Sequence, residues 1–139
     1  VDPPQRTRAS DLHWFRTEGR RYGIDEATIG AWPGCMEAGD PAAVADCTRE
    51  RLDGFFLEKI QEVLPYTTDT IFLHLTLHYD GRVTFRNAHP VSGDSYGYLL
   101  EEIAAALPRF EPVESEHRKD YKPGLGQILV RELVVKPEE

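Results

Sequence analysis

Two hydrophobic periods divide this chain. Leu52, Phe55, Phe56, Ile60, Val63 and Leu64 recur at three- and four-residue steps, while Arg49, Glu50, Arg51, Glu58 and Glu62 occupy the other side. That spacing predicts an amphipathic helix with its bulky stripe toward a core. Pro65 ends it, having no N–H to give and a ring that clashes with the preceding turn. Upstream, Asp40-Pro41 reads as a cap followed by proline at the first helical position, and Thr48 as a second start signal. The period then drops to two. Over residues 70–79, Ile71, Leu73, Leu75, Leu77 and Tyr79 share one face, and Phe72, His74, Thr76 and His78 the other. This alternation predicts a strand buried on one side and partly wet on the other. Asp80-Gly81 is a hairpin pair, because glycine accepts positive φ, and 82–88 is the expected returning strand with Val83 and Phe85 inward.

The helical period returns over 98–107, where Leu99, Leu100, Ile103, Ala106 and Leu107 form the stripe. The loop 90–97 precedes it, with Asp94 or Ser95 as its cap; Pro108 stops it, and Phe110 is expected to fold back onto the core. Residues 111–124 read as a charged loop, and 127–135 as a β-branched strand. The order helix, hairpin, helix, strand implies an α+β fold (α-β-β-α-β), with two helices on one face of a small three-stranded antiparallel sheet. Such a sheet leaves long edges, and an unprotected edge is either a liability or a docking site. Residues 1–31 are expected to be an amino-terminal extension. Its first nine residues bury nothing, and Ser10 caps a short helix carrying Leu12, Trp14, Phe15 and Tyr22. The domain spans 32–136, entering through a Trp32-Pro33-Gly34 turn, and 137–139 are a tail.

Composition narrows the function classes. The 139 residues suffice for one domain, and 40% hydrophobic with 29% charged residues is globular. Sixteen Lys and Arg against twenty-four Asp and Glu give a net charge of −8, with the cations dispersed. A nucleic-acid binder needs a cationic footprint, so neither nucleic acid nor an anionic membrane surface is an expected partner. No segment approaches the roughly 18 to 20 apolar residues of a membrane-spanning helix. The opening Val1-Asp2-Pro3-Pro4 lacks a starting Met, which reads as a removed leader or an excised domain.

Candidate chemistry is sparse. His74 and His78 lie about 13 Å apart on a regular strand, too far to share a metal; His89 and His117 are expected in solvent. Ser92 and Ser95 lack the strand–Gly-x-Ser-x-Gly–helix setting of a nucleophile. Neither Gly93/Gly97 nor Gly124/Gly126 completes a phosphate loop. Glu101 and Glu102 are adjacent and point apart. The expectation is no enzyme, no cofactor and no metal. Cys35 and Cys47 can neither complete a four-cysteine zinc site nor form a CxxC pair. Their spacing leaves two readings, a disulfide in an oxidising compartment or two buried thiols. A disulfide closing that loop would contribute about 3 kcal/mol.

The second half resembles the periplasmic carboxy-terminal domain of the TonB energy transducers. The likeness rests on an ordered set: the alternating strand into Tyr79-Asp80-Gly81-Arg82-Val83, the Ser92-Gly93 loop, Leu107-Pro108-Arg109-Phe110-Glu111-Pro112, then Gly124 and Gly126 before a final apolar strand. Upstream, Trp32-Pro33-Gly34-Cys35, Cys47-Thr48 and Leu52-x-x-Phe55-Phe56 are similar to the Bacteroidetes branch. Pro65-Tyr66 reverses the family's usual Tyr-Pro, the loop 111–124 is longer, and residues 1–31 are neither stalk nor anchor. The resemblance implies a periplasmic or otherwise exported protein with a Cys35–Cys47 disulfide. It also implies that the last strand takes up a short extended peptide, the TonB box of an outer-membrane transporter, in energised nutrient uptake. By position that strand is Gly126, Gln127, Ile128, Leu129, Val130, Arg131, Glu132, Leu133, Val134 and Val135. The alternative is a stand-alone exported module that uses the same fold for scaffolding or as a homodimer, without force transduction.

Overall fold

The structure, a computed structural model, describes residues 24–26, 28–114 and 126–137. The Ser10 helix, His117, Gly124 and most of the loop 111–124 lie outside the described residues.

The chain runs β1 (Gly30–Ala31), a 3-10 turn at Cys35–Ala38, α1 (Pro41–Val63), β2 (Asp69–His78), β3 (Val83–Pro90), α2 (Gly97–Ala105), β4 (Glu111–Pro112) and β5 (Gly126–Val135). The main sheet is antiparallel in the order β3-β2-β5, and β1 with β4 forms a separate two-stranded ribbon. Both helices cover one face, α1 against β5 and α2 against β3. The two helices and three-stranded sheet are the α+β arrangement that the element order implies.

Asp40 caps α1 by accepting from the Ala43 N–H at 3.3 Å, with Pro41 just behind it. The helix does not restart at Thr48. Its buried side chains Val44, Thr48, Leu52, Phe56 and Ile60 follow four-residue steps, so the apolar stripe is longer at its start than the sequence pattern indicates. Thr48 can sit inside the helix because its hydroxyl donates to the Val44 carbonyl at 2.9 Å. The same oxygen accepts from the Trp32 N–H at 3.2 Å, which binds the incoming turn to the helix. Of the expected stripe Val63 is exposed, while Leu64 just beyond it is partly buried against the core.

On the helix face of β2, Ile71, Leu73, Leu75 and Leu77 are fully buried, as the alternation requires. Leu129, Leu133 and Val135 of β5 join them in one core with Leu100, Ile103, Ala104 and Phe110. Ala104 fills the place expected of Ala106, because α2 starts one residue earlier and ends at Ala105. Neither Asp94 nor Ser95 caps that helix: Tyr96 holds the cap position and makes no side-chain cap bond. The core also takes in Ile24 and Ile29, ahead of residue 32.

Three corrections follow. His74, placed by alternation on the wet face, is only 6% exposed. His89, expected in solvent, is half-buried with its ring 5.1 Å from that of His74. Glu111 and Pro112, read as the start of a loop, form β4 against Ala31 and Gly30.

The hairpin turn is fixed from outside. Gly81 has φ of 96°, and its carbonyl accepts from the Phe110 N–H at 2.8 Å. A Cβ there would meet the Phe110 carbonyl oxygen at 2.3 Å, so only glycine fits. Asp80 accepts from the Arg82 N–H at 3.1 Å, a bond that holds its carboxyl below the ordinary range.

Candidate peptide-binding edge

The direction of the backbone groups on β5 follows from two bonds on β2. The Thr70 carbonyl accepts from Val91, and the His78 N–H donates to Arg82, so even-numbered residues of β2 turn their N–H and C=O toward β3. In a pleated strand the odd-numbered residues must then turn toward β5. Their partners across that pairing are Leu133, Arg131, Leu129 and Gln127. The backbone groups of Ile128, Val130, Glu132 and Val134 therefore point outward, away from β2. Among the described residues no strand pairs with that outer side.

The pairing of β5 with β2 runs without a shift from Gly126↔His78 to Val135↔Asp69. Gly126 opens it because a Cβ would lie 2.4 Å from the Thr76 methyl. Beyond it the strand carries no proline, glycine or bulge. Its side chains divide by parity except at Val130. Gln127, Leu129, Leu133 and Val135 are buried toward the helices, while on the opposite face Ile128, Glu132 and Val134 are half-buried or exposed and Val130, across from the buried His74, is itself buried.

Arg131 is the one cation on the helix face, and it is paired. Its Nε and Nη2 donate to the two carboxylate oxygens of Asp53 on α1 at 2.8 and 2.6 Å. The planar fork matches the carboxylate, so the bond fixes the middle of β5 flat against α1. The indication in the sequence was an arginine within QILVRELVV and an aspartate on the helix seven residues before Ile60.

Cys35 and Cys47 are joined in a disulfide, with Cα atoms 5.6 Å apart. It ties the 3-10 turn to the second turn of α1. Nearby, Ala31, Cys35 and Val44 form a small second core with Val113 and part of Trp32. The ring of Trp32 lies 5.7 Å from Phe55 and 5.9 Å from Phe110, bridging the two cores.

Other polar groups tie loops and strands together. Asp69 accepts from the N–H groups of Thr70 and Ser92 at 2.8 and 3.1 Å and from the Ser92 hydroxyl at 2.5 Å. Burial raises its pKa, but the bonds from Ser92, Tyr96 and Thr70 outweigh that and hold it below the usual carboxylate value. Tyr96 is pushed up to about 12, by burial and then by the Asp69 carboxylate. Ser92 thus anchors its loop to Asp69. His78 shares a 2.8 Å hydrogen bond with Thr84. Among the described residues no three His, Cys, Asp or Glu side chains converge to hold a metal, and no helix is long and apolar enough to cross a membrane. No protein-family model, curated protein or solved structure matches the chain.

Proposed function

We propose that this chain is an exported binding module of the TonB carboxy-terminal type. It takes an extended peptide from an outer-membrane transporter onto the outer edge of β5, in support of energised nutrient uptake. The observation that carries the reading is that edge. It is a ten-residue strand with unbroken pairing, with the backbone groups of Ile128, Val130 and Val134 turned away from the sheet. Strand addition draws its affinity from such groups, and they tolerate many peptide sequences because no side chain is needed for the bond. The ordered residues from Tyr79 to Pro112 that resemble the TonB domains support the choice of partner. The Cys35–Cys47 disulfide fits an oxidising compartment such as the periplasm.

The test is a titration of the labelled chain with short plug-segment peptides of outer-membrane transporters, following backbone amides. The expected result is that amides of Gly126–Val135 move most, those of Ile128, Val130 and Val134 above all. Unmoved amides along β5 with every peptide would remove the proposal. Protection of the same amides that grows with protein concentration alone would assign the edge to a second copy.

A further inference from the structure

Val130 and Val134 are the same residue on the same strand, and parity sets both on the sheet face opposite the helices. Val134 is 46% exposed, as a side chain on an open face should be, whereas Val130 is 9% exposed. Across from Val130 stands His74, at 6%. Side chains that rise together from a sheet shield one another's flanks, but their tips stay in solvent unless a further layer closes over them. Val130 is also on a strand that, among the described residues, has a neighbour on one side only. The residues beside it on this face do not enclose it, since Ile128 is half-buried and Glu132 exposed.

No described helix or strand supplies that layer. α1 and α2 lie on the other face, where Leu52, Phe56, Leu100 and Ile103 share a core with Leu73 and Leu75, and β1 lies there too, with Gly30 against Leu77. Val130, although buried, belongs to neither of the two apolar cores. The covered patch has limits. Phe72, Ile128 and His89, whose ring meets that of His74, are half-buried around it, while Thr84 and Asn87 on β3 are exposed. The layer therefore lies over the β2–β5 half of the sheet. Its floor is two imidazole rings and a valine, which suits aromatic and aliphatic groups.

Outside the described residues the chain has two segments long enough to form it, 1–23 and 115–125. The second is highly charged, with Tyr121 and Leu125 its only large apolar residues, whereas the first holds Leu12, Trp14 and Phe15 close together. That first segment joins the described chain at Ile24, in the core, and the Ile29 N–H donates to the Gln127 side chain at 3.0 Å, on the same strand as Val130. The stretch from Phe15 to Ile24 can extend to about 30 Å, and stacked layers lie about 10 Å apart, so it can pass from one face of the sheet to the other. We infer that Leu12, Trp14 and Phe15 close over His74 and Val130 as a third layer. The amino-terminal segment is then part of the domain, and a partner meets β5 at its outer edge, not on its flat face. The layer lies above the sheet and an added strand would lie in its plane, so the inference does not rest on the strand-addition reading.

The experiment uses the full chain with labelled methyl groups and rings. Nuclear Overhauser contacts are expected from the Trp14 and Phe15 rings to the Val130 methyls, with none to those of Val134. In an equal mixture of labelled and unlabelled chains, no such contact is expected between the two sets. The double variant Trp14→Ala, Phe15→Ala is expected to move the Val130 methyl and His74 ring signals and to leave Val134 in place. Val130→Lys is expected to lower the thermal midpoint by more than about 5 °C, and Val134→Lys by less than about 1 °C. Contacts to Val130 from residues 115–125, from a second copy, or from no residue outside the sheet would overturn the inference. So would equal losses from the two lysine variants.

Discussion

The sheet has two edges, and they are built in opposite ways. On β3 the partners of Leu75 and His74 are Phe85 and Asn87, so Arg86 is an extra residue left without a partner on β2. The edge therefore carries a bulge in its middle and ends at Pro90, which has no N–H to give. Bulges and prolines are how proteins blunt an exposed strand. On β5 neither device is present: the pairing is regular throughout, and the helix face is fixed to α1 by the Arg131–Asp53 fork. Two edges of one small sheet face the same hazard of adventitious pairing, and among the described residues only β3 carries a protective device. That asymmetry is what docking on β5, as proposed, requires.

The first test of this contrast lies within β5 itself. Leu133→Ala, at a fully buried side chain, is expected to cost about 3 kcal/mol in urea unfolding, while Val134→Ala next to it costs under about 0.5 kcal/mol. Equal losses would show that the strand is enclosed on both faces. The second replaces an outward N–H. Ile128→Pro, at a half-buried side chain, should lower peptide affinity at least tenfold, about 1.4 kcal/mol, and leave the circular dichroism spectrum intact. Leu129→Pro, whose N–H is directed at β2, should instead destabilise the fold. A third restores the protected edge. Deleting Arg86 leaves Asn87 opposite His74 and regularises β3, so stability should change by less than about 1 kcal/mol. The variant should gain concentration-dependent self-association in sedimentation, which the parent edge suppresses.

The smallest effect concerns pH. The Asp69 carboxylate holds the loop after β3, and its folded pKa lies below its unfolded value near 3.8. Such a group stabilises the protein at pH above that unfolded value, and its contribution is lost as pH falls through the lower, folded one. Unfolding at pH 7 and pH 3 should therefore show a larger difference for the parent than for Asp69→Asn. The loop beyond Pro90 should be released first, as read from the Ser92 amide.

The β2 alternation was legible because every second residue there is a large aliphatic, and burial follows such a pattern closely. The hairpin turn was legible from Asp80-Gly81, although nothing local reveals that Phe110 holds it. On β3 the reading of Val83 and Phe85 is consistent with the structure only as far as the bulge: after Arg86 the inward residues are Ala88 and Pro90, a change of parity that VTFRNAHP does not signal. Thr48 resembled a helix start because threonine often is one. Its place inside α1 depends on Trp32, sixteen residues away, which no local pattern contains. The last strand was legible as a strand, but its position at the edge and the outward turn of Val130 are properties of pairing, and appear only once β2 lies beside it.

The covalent link between Cys35 and Cys47 has a mechanical consequence. Tension applied to the chain ahead of Cys35 passes through sulfur directly into the second turn of α1, and residues 36–46 carry none of it. The 3-10 turn and the Asp40 cap are thereby shielded from unravelling, however hard the leading segment is drawn. Load reaches the sheet by way of α1, whose Asp53 is clasped to Arg131, so the helix and the rim strand must be peeled apart together before either yields.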